Sequence, residues 1–383
     1  MMYNRIAETI EELQGTYLHF LAELCNIESN SRDKTGVDAV ADRIVDFITE
    51  NNYFVERKYF EKAGDCLCID YGNDPEKPFV VLSAHMDTVY QKGDFPDPAV
   101  RFDDTFIYGP GVCDCKGGIA VGLLTMTALK ACGFGGVNIR LLLQSDEEIS
   151  SALSQKATVA FLCEKAKNCI AFLNLEGKYP GKLTVERGGI IHGRFTVKGK
   201  RAHAKDKHLG RNAINEAAFK IVEIANRESD DGVSYNCGII TGGTASNVVP
   251  DACSFDVEAR VTGKNGYDKA LAFFRELAEK QYIAGTETVL EILSDRIPME
   301  IKDYNLDLLK RIHEISVKYG FGIVEPRRSL GGSDAAYTTD AGIPTADGLG
   351  MIGYNLHSVD EKAEISSLKE SAKLLAAIII ELS

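Results

Sequence analysis

Apolar residues recur at helical spacing from about Arg5 to Cys25 and from Val37 to Ile48, and each run predicts an amphipathic helix. The next signal differs in kind. PFVVLSAH at 78–85 is a short continuous apolar run that ends in polar residues, the mark of a strand buried on both faces. GIAVGLLTMTALKAC at 118–132 reads as a buried helix, VNIRLLLQ at 137–144 as a strand, and CIAFLNLE at 169–176 as another. Strands separated by helices predict an α/β domain with a mostly parallel sheet and flanking helices.

Near Arg187 the pattern changes. Strand-like runs at 189–199, 234–243, 252–262 and 286–294 are interleaved with helical runs at 209–227 and 266–281. That order, β-α-β-β-α-β, is the split βαβ unit of a ferredoxin-like α+β domain. Helical and strand patterns of the first kind then resume, with helices at 307–320, 333–342 and 365–382 and a short strand at 344–350. The predicted architecture is an α/β domain made of residues 1–186 and 297–383, interrupted by an inserted ferredoxin-like domain at 187–296.

Composition removes several functional classes. The 383 residues are 45% hydrophobic and 26% charged, an ordinary globular balance. A net charge of -13 provides no basic field to collect phosphates, which excludes a nucleic-acid binder. No polybasic run marks an anionic membrane surface. The opening MMYNRIAETIEELQ lacks the basic flank and continuous apolar stretch of a signal peptide, and LLAAIII at 374–380 is too short to span a bilayer. The expected location is the cytoplasm, and the expected partner is a small molecule or peptide. Ten cysteines are scattered with no C-x-x-C, only two C-x-C pairs (Cys66/Cys68 and Cys113/Cys115), so most read as buried reduced thiols.

Open parallel sheets bind ligands at the carboxyl ends of their strands. After FVVLSA come His85 and Asp87; after NIRLLLQS come Asp146, Glu147 and Glu148; after CIAFLNL comes Glu176; a few residues past ADGLG comes His357. Singly, each has a bland reading: H-x-D as a capped turn, the acidic triplet as a solvated helix start. Together they place two histidines and several carboxylates at one sheet edge. Histidine with carboxylate suits zinc, cobalt or manganese. Two histidines and three carboxylates exceed one tetrahedral ion and suit two ions bridged by a carboxylate, as in hydrolysis. GPGVCDCKGG at 109–118 could be a thiolate metal site, a redox pair, or an acid with incidental cysteines; Asp114 is its best candidate for the bridge. The stretch has neither G-x-G-x-x-G spacing nor a P-loop's terminal Lys-Ser/Thr.

With SAHMDTV at 83–89, YGPGVCDCKGG at 108–118, QSDEE at 144–148, NLEG at 174–177, KRAHA at 200–204, TASNVVP at 244–250, GGSDAAY at 331–337 and LHSVDE at 356–361, the chain resembles a known family over nearly its whole length. It is the di-zinc metallopeptidase family containing glutamate carboxypeptidase, acetylornithine deacetylase, succinyl-diaminopimelate desuccinylase and aminoacylase. The resemblance implies two Zn2+ per chain, with Co2+ or Mn2+ as substitutes. His85 would hold one ion and His357 the other, Asp114 would bridge them, and Glu148 and Glu176 would complete the sites. Asp87 would orient the His85 imidazole. Glu147 would act as general base on the metal-bridged water nucleophile. The peptide bond between Asp114 and Cys115 would be cis, and the two flanking thiols would face away from the ions.

In such relatives the histidine matching His203 reaches the partner subunit's active site and stabilises the oxyanion, with Asn247 assisting, which implies a homodimer formed through the inserted domain. Arg260 and Arg296 occupy places like those that hold a substrate carboxylate, although either could instead form a structural ion pair. Gly331 and Gly332 are further substrate-side candidates, since glycine allows close approach. Glu at position 176 resembles carboxypeptidases and deacylases, and the stretch around GGSDAAY is most like glutamate carboxypeptidase. The implied activity is therefore zinc-dependent cleavage of a peptide or N-acyl amino acid with a free carboxylate. Alternatives are a deacetylase or desuccinylase of a biosynthetic N-acyl amino acid, and a non-catalytic metal-binding relative. A thiol redox protein built on Cys113 and Cys115 is more remote. One departure stands out: relatives often follow the acid pair with glycines, where this chain has Ile149-Ser150-Ser151.

Overall fold

The computed structural model describes residues 2–49, 53–227 and 232–383. They fall into two compact units, one of Met1–Val185, Ile301–Arg328 and Tyr337–Ser383, the other of Glu186–Glu300 and Ser329–Ala336.

The first unit is built on an eight-stranded sheet. Its strands are β1 (Phe54–Lys58), β2 (Cys66–Tyr71), β3 (Phe79–His85), β4 (Asn138–Gln144), β5 (Ala171–Asn174), β6 (Lys182–Arg187), β7 (Glu325–Ser329) and β8 (Thr345–Asp347), in the spatial order β1-β2-β4-β3-β5-β8-β6-β7. The centre, β4-β3-β5-β8, is parallel, and β1 and β2 add antiparallel strands at one side. Successive side chains leave a strand on opposite faces, and the core divides accordingly. Val80, Leu82 and Ala84 join one cluster, whereas Val81 joins the other with Leu142, Phe161 and Phe172. Cys66 and Cys68 both lie in that second cluster, so their C-x-C spacing is the two-residue period of a buried strand.

Helices cover both faces. α1 (Met2–Cys25), α3 (Lys116–Ala131) and α6 (Ile365–Glu381) pack in the larger cluster; α2 is Lys34–Ile48 and α5 is Asp303–Lys318. α4 (Ala157–Ala166) covers the opposite face through Phe161 and Leu162. α3 carries apolar residues around most of its circumference, in keeping with its burial on nearly every side. Gly118 lets its first turn approach the end of β5, since a Cβ there would stand 2.2 Å from the Leu175 carbonyl oxygen.

The second unit carries a four-stranded antiparallel sheet in the order Val233–Gly242, Ala252–Val261, Gly189–Lys198, Glu287–Arg296, with helices Ala213–Asn226 and Gly263–Glu279. Phe195, Phe255 and Phe274 are fully buried in its core.

Candidate active site

Parallel pairing in register sets out the site. His85, the last residue of β3, lies opposite Gln144, the last of β4, and Ser83 lies opposite Asn174 of β5. The residues that follow these strands, Asp87, Glu147, Glu148 and Glu176, therefore emerge at one edge. Asp114 precedes the first turn of α3, and His357 comes from a loop between Gly353–Tyr354 and Lys362–Glu364.

Asp114 is the centre of the arrangement. Its Oδ1 stands 3.2 Å from His85 Nε2 and its Oδ2 stands 3.2 Å from His357 Nε2. Glu176 Oε1 and Glu147 Oε2 lie 3.8 and 4.0 Å from His85 Nε2, and Glu148 Oε2 lies 3.3 Å from His357 Nε2. All but His357, which is exposed, are largely withdrawn from solvent. The Asp114–Cys115 peptide is cis.

The tautomer of His85 follows from its neighbours. Nδ1 meets only acceptors, the Asp87 carbonyl oxygen at 3.0 Å and Oδ1 at 3.3 Å, so it carries the proton of the neutral ring; in the imidazolium that the surrounding acids favour, Nε2 donates to Asp114 as well. The fully buried Asp87 carboxylate also accepts Ser31 Oγ at 2.6 Å and the backbone N–H groups of Glu147 and Glu148 at 3.2 and 3.1 Å. One carboxylate thus orients an imidazole and anchors the adjacent acid pair.

Sequence reasoning missed Glu361. This buried carboxylate accepts Cys113 N and Asp114 N on one oxygen, at 2.9 and 3.1 Å. On the other it accepts Gly111 N at 3.0 Å and Tyr90 Oη at 2.8 Å. Asp146, by contrast, turns from the cluster to Thr158 Oγ1 at 2.6 Å and Ser154 N at 3.0 Å. After the acid pair, where the resemblance implied a glycine, Ser150 and Ser151 adopt left-handed φ values of 56° and 55°, so the turn has a glycine-like backbone without a glycine.

The crowded acids set the charge balance. Burial opposes ionisation of Asp114, but hydrogen bonds from His357 and His85 outweigh it and hold its pKa low. Burial and the Asp114 charge push Glu148 up to about 8. Hydrogen bonds to Asp114 and Glu148 push His357 up to about 11. The cluster therefore favours positive charge between its acids. Two overlapping donor groups, His85/Asp114/Glu148 and His85/Cys115/Glu176, each have ligand atoms within 4.8 Å of one another. Nitrogen and oxygen donors with one sulfur fit a divalent transition ion. The expectation that both thiols face away is corrected here: the Cys115 sulfur lies beside His85 and Glu176, because the backbone at 114–115 turns it toward the end of β5.

Residues 81–381 match peptidase family M20/M25/M40. The chain belongs to that family. It is accordingly a hydrolytic enzyme of the metallopeptidase class. Over 389 aligned residues it is 27% identical to carboxypeptidase G2 of Pseudomonas sp. (strain RS-16), covering 99% of this chain and 92% of that one. It is 27% identical to succinyl-diaminopimelate desuccinylase of Sulfurimonas denitrificans, covering 86% and 88%. The structure of Bacillus subtilis YXEP, described as a dinuclear metal binding peptidase from the M20 family, superposes with a TM-score of 0.70 at 17% identity, covering 97% and 99%.

The other predicted residues of this M20 peptidase belong to its second unit. His203 pairs with Val248 in a two-stranded ladder, and Ala204 N donates to the Asn247 carbonyl at 2.9 Å, so His203 and Asn247 are neighbours. His203 Nδ1 accepts Lys205 N at 3.2 Å, which places the proton of a neutral ring on Nε2. Arg260 is ion-paired with Glu258 at 2.5 Å. Arg296 is buried against Gly332, where a Cβ would lie 2.3 Å from its Cδ; the glycine makes room for the arginine itself. Arg187, which sequence reasoning did not single out, donates to the carbonyls of Gly331 and Gly332 at 3.3 and 3.1 Å. Among the described residues, no helix is long and apolar enough to cross a membrane.

Proposed function

We propose that this chain hydrolyses the amide bond of a peptide or N-acyl amino acid bearing a free carboxylate, using two divalent ions, zinc by preference. His85, Asp114 and Glu176 would hold one ion, and Asp114, Glu148 and His357 the other. The observation that carries this reading is Asp114, whose two oxygens each stand 3.2 Å from a different imidazole. When bound, such ions supply Lewis acidity and make water a nucleophile near neutral pH.

The chain's own groups do the rest. Glu147, fixed through its backbone N–H on Asp87, takes the proton of the attacking water and returns it to the leaving amine. His203, with its proton on Nε2, donates to the oxyanion of the tetrahedral intermediate, and Asn247 assists. The inserted unit, with the strand order of a ferredoxin-like domain, carries both groups and pairs with a second copy. The edge strand Val233–Gly242 exposes Ile239 and Ile240, which supports that pairing. Arg296 contributes to carboxylate binding, whereas Arg260, engaged by Glu258, serves the sheet surface.

Glu147→Gln is expected to lower turnover by at least about 10²-fold while two ions per chain remain bound. Retained turnover would remove Glu147 as the base. Similarity to a desuccinylase over 86% of the chain favours a second substrate class, N-succinyl or N-acetyl amino acids. A panel of dipeptides, N-acyl amino acids and folyl-type glutamates, assayed with defined metals, separates the two.

A further inference from the structure

We propose that Cys115 is a protein ligand of the ion held by His85 and Glu176, making that half of the centre selective for thiophilic cations. The inference rests on the two-ion reading above and adds a sulfur donor to one of its ions.

Cys115 is fully buried, and its sulfur, a ring nitrogen of His85 and a carboxylate oxygen of Glu176 all lie within 4.8 Å of one another. Donors about 2.3 Å (sulfur) and about 2.1 Å (nitrogen) from one tetrahedral ion stand roughly 3.6 Å apart, so a pair at the 4.8 Å limit must close by about 1.2 Å, within reach of side-chain rotation. The thiol stands at the N-cap of α3 but caps no helix N–H; its proton points to the Leu175 carbonyl at 3.2 Å. That weak bond is readily exchanged for a metal bond. Cys113 supplies the contrast. It is equally buried and only two residues away, yet its sulfur meets the Met351 carbonyl at 3.5 Å and belongs to neither donor group.

The balance is simple. The divalent ion forms a bond to Cys115 sulfur, the S–H bond breaks, and one proton per chain passes to solvent; nothing is oxidised or reduced. A thiolate is a soft donor, so it favours Cd2+ and Zn2+ over Mn2+.

The test strips the full-length protein with a chelator and titrates it with Cd2+, following the ultraviolet charge-transfer absorption of cadmium–thiolate bonds. Wild type and Cys113→Ser should develop the band in step with ion binding, and Cys115→Ser should lack it. In Cys115→Ser the preference for Cd2+ over Mn2+ should fall by more than about tenfold, the loss that removing even an outer-shell partner brings. Zinc-edge X-ray absorption on the wild-type protein needs no variant and should show one sulfur neighbour per chain at about 2.3 Å, roughly half a sulfur averaged over the two ions. A chain that binds two ions with no sulfur neighbour, or a band that survives in Cys115→Ser, overturns this inference and leaves the two-ion reading standing. Failure of wild type and variant alike to bind two ions sinks the two-ion reading and this inference together.

Discussion

Glu361 holds Asp114 by its backbone: one carboxylate oxygen accepts both Asp114 N, at 3.1 Å, and Cys113 N, at 2.9 Å. The other oxygen takes Gly111 N and Tyr90 Oη. A single buried side chain therefore fixes the loop from which Asp114 faces two histidines. Burial and the Asp114 charge raise the Glu361 carboxyl to about 7, the cost of keeping an acid beside an acid.

Glu361→Gln tests that anchoring. If the amide oxygen keeps Cys113 N and Asp114 N, its NH2 group confronts the Gly111 N–H, and one buried donor loses its acceptor. Stability should drop by roughly 1–3 kcal/mol. Ion affinity should drop by about 10- to 100-fold, as for other residues that orient ligands. Thermal denaturation of the ion-free protein and calorimetric titration with Zn2+ read the two effects separately.

Asp87 acts on three groups at once, so its replacement should damage more than a histidine's orientation. In Asp87→Asn the side-chain amide can accept on one atom only, leaving the N–H of Glu147 or Glu148 without its acceptor. The expected result is a fall in kcat of about 10-fold or more with KM little changed, because the substrate's own contacts remain. An increase in KM alone would place Asp87 on the substrate side instead.

A pH effect is expected away from the site. Asp65 accepts Lys34 Nζ and Arg57 Nε, both at 2.7 Å. Burial opposes its ionisation, but these hydrogen bonds outweigh it and depress its pKa. A depressed carboxylate stabilises the fold above its unfolded value of about 3.9, and that contribution is lost as pH falls through the folded value. Asp65→Asn should therefore cost about 1–2 kcal/mol at pH 7. The gap from wild type should narrow below about pH 4 in urea melts.

Sequence made some of this legible and hid the rest for physical reasons. His85 and Glu176 stand out because a buried strand announces its end by an abrupt change from apolar to ionisable residues. Glu361 sends no such signal; its role depends on backbone N–H groups some 250 positions away, which no local pattern encodes. β1 escaped notice because all five of its residues are exposed, so no apolar alternation marks it. α4 lacked a start signal: its N-cap is Lys156, in a left-handed conformation with no side-chain cap. The split between Cys113 and Cys115 was equally hidden, since which way each sulfur points depends on the turn into α3.

His203 offers the sharpest test of assembly. Its Nδ1 accepts Lys205 N, so a neutral ring can only donate from Nε2. Loss of one oxyanion donor costs about 10²- to 10³-fold in kcat, the fall expected for His203→Ala with ion content unchanged. The family resemblance implies that this donor serves the site of a second copy. Mixing two inactive variants, His203→Ala and Glu147→Gln, then forms heterodimers in which one site has both groups intact and the other has neither. Statistical exchange in a two-fold dimer should restore about a quarter of wild-type turnover. No recovery, in a mixture shown to exchange subunits, would mean that His203 serves its own chain or none.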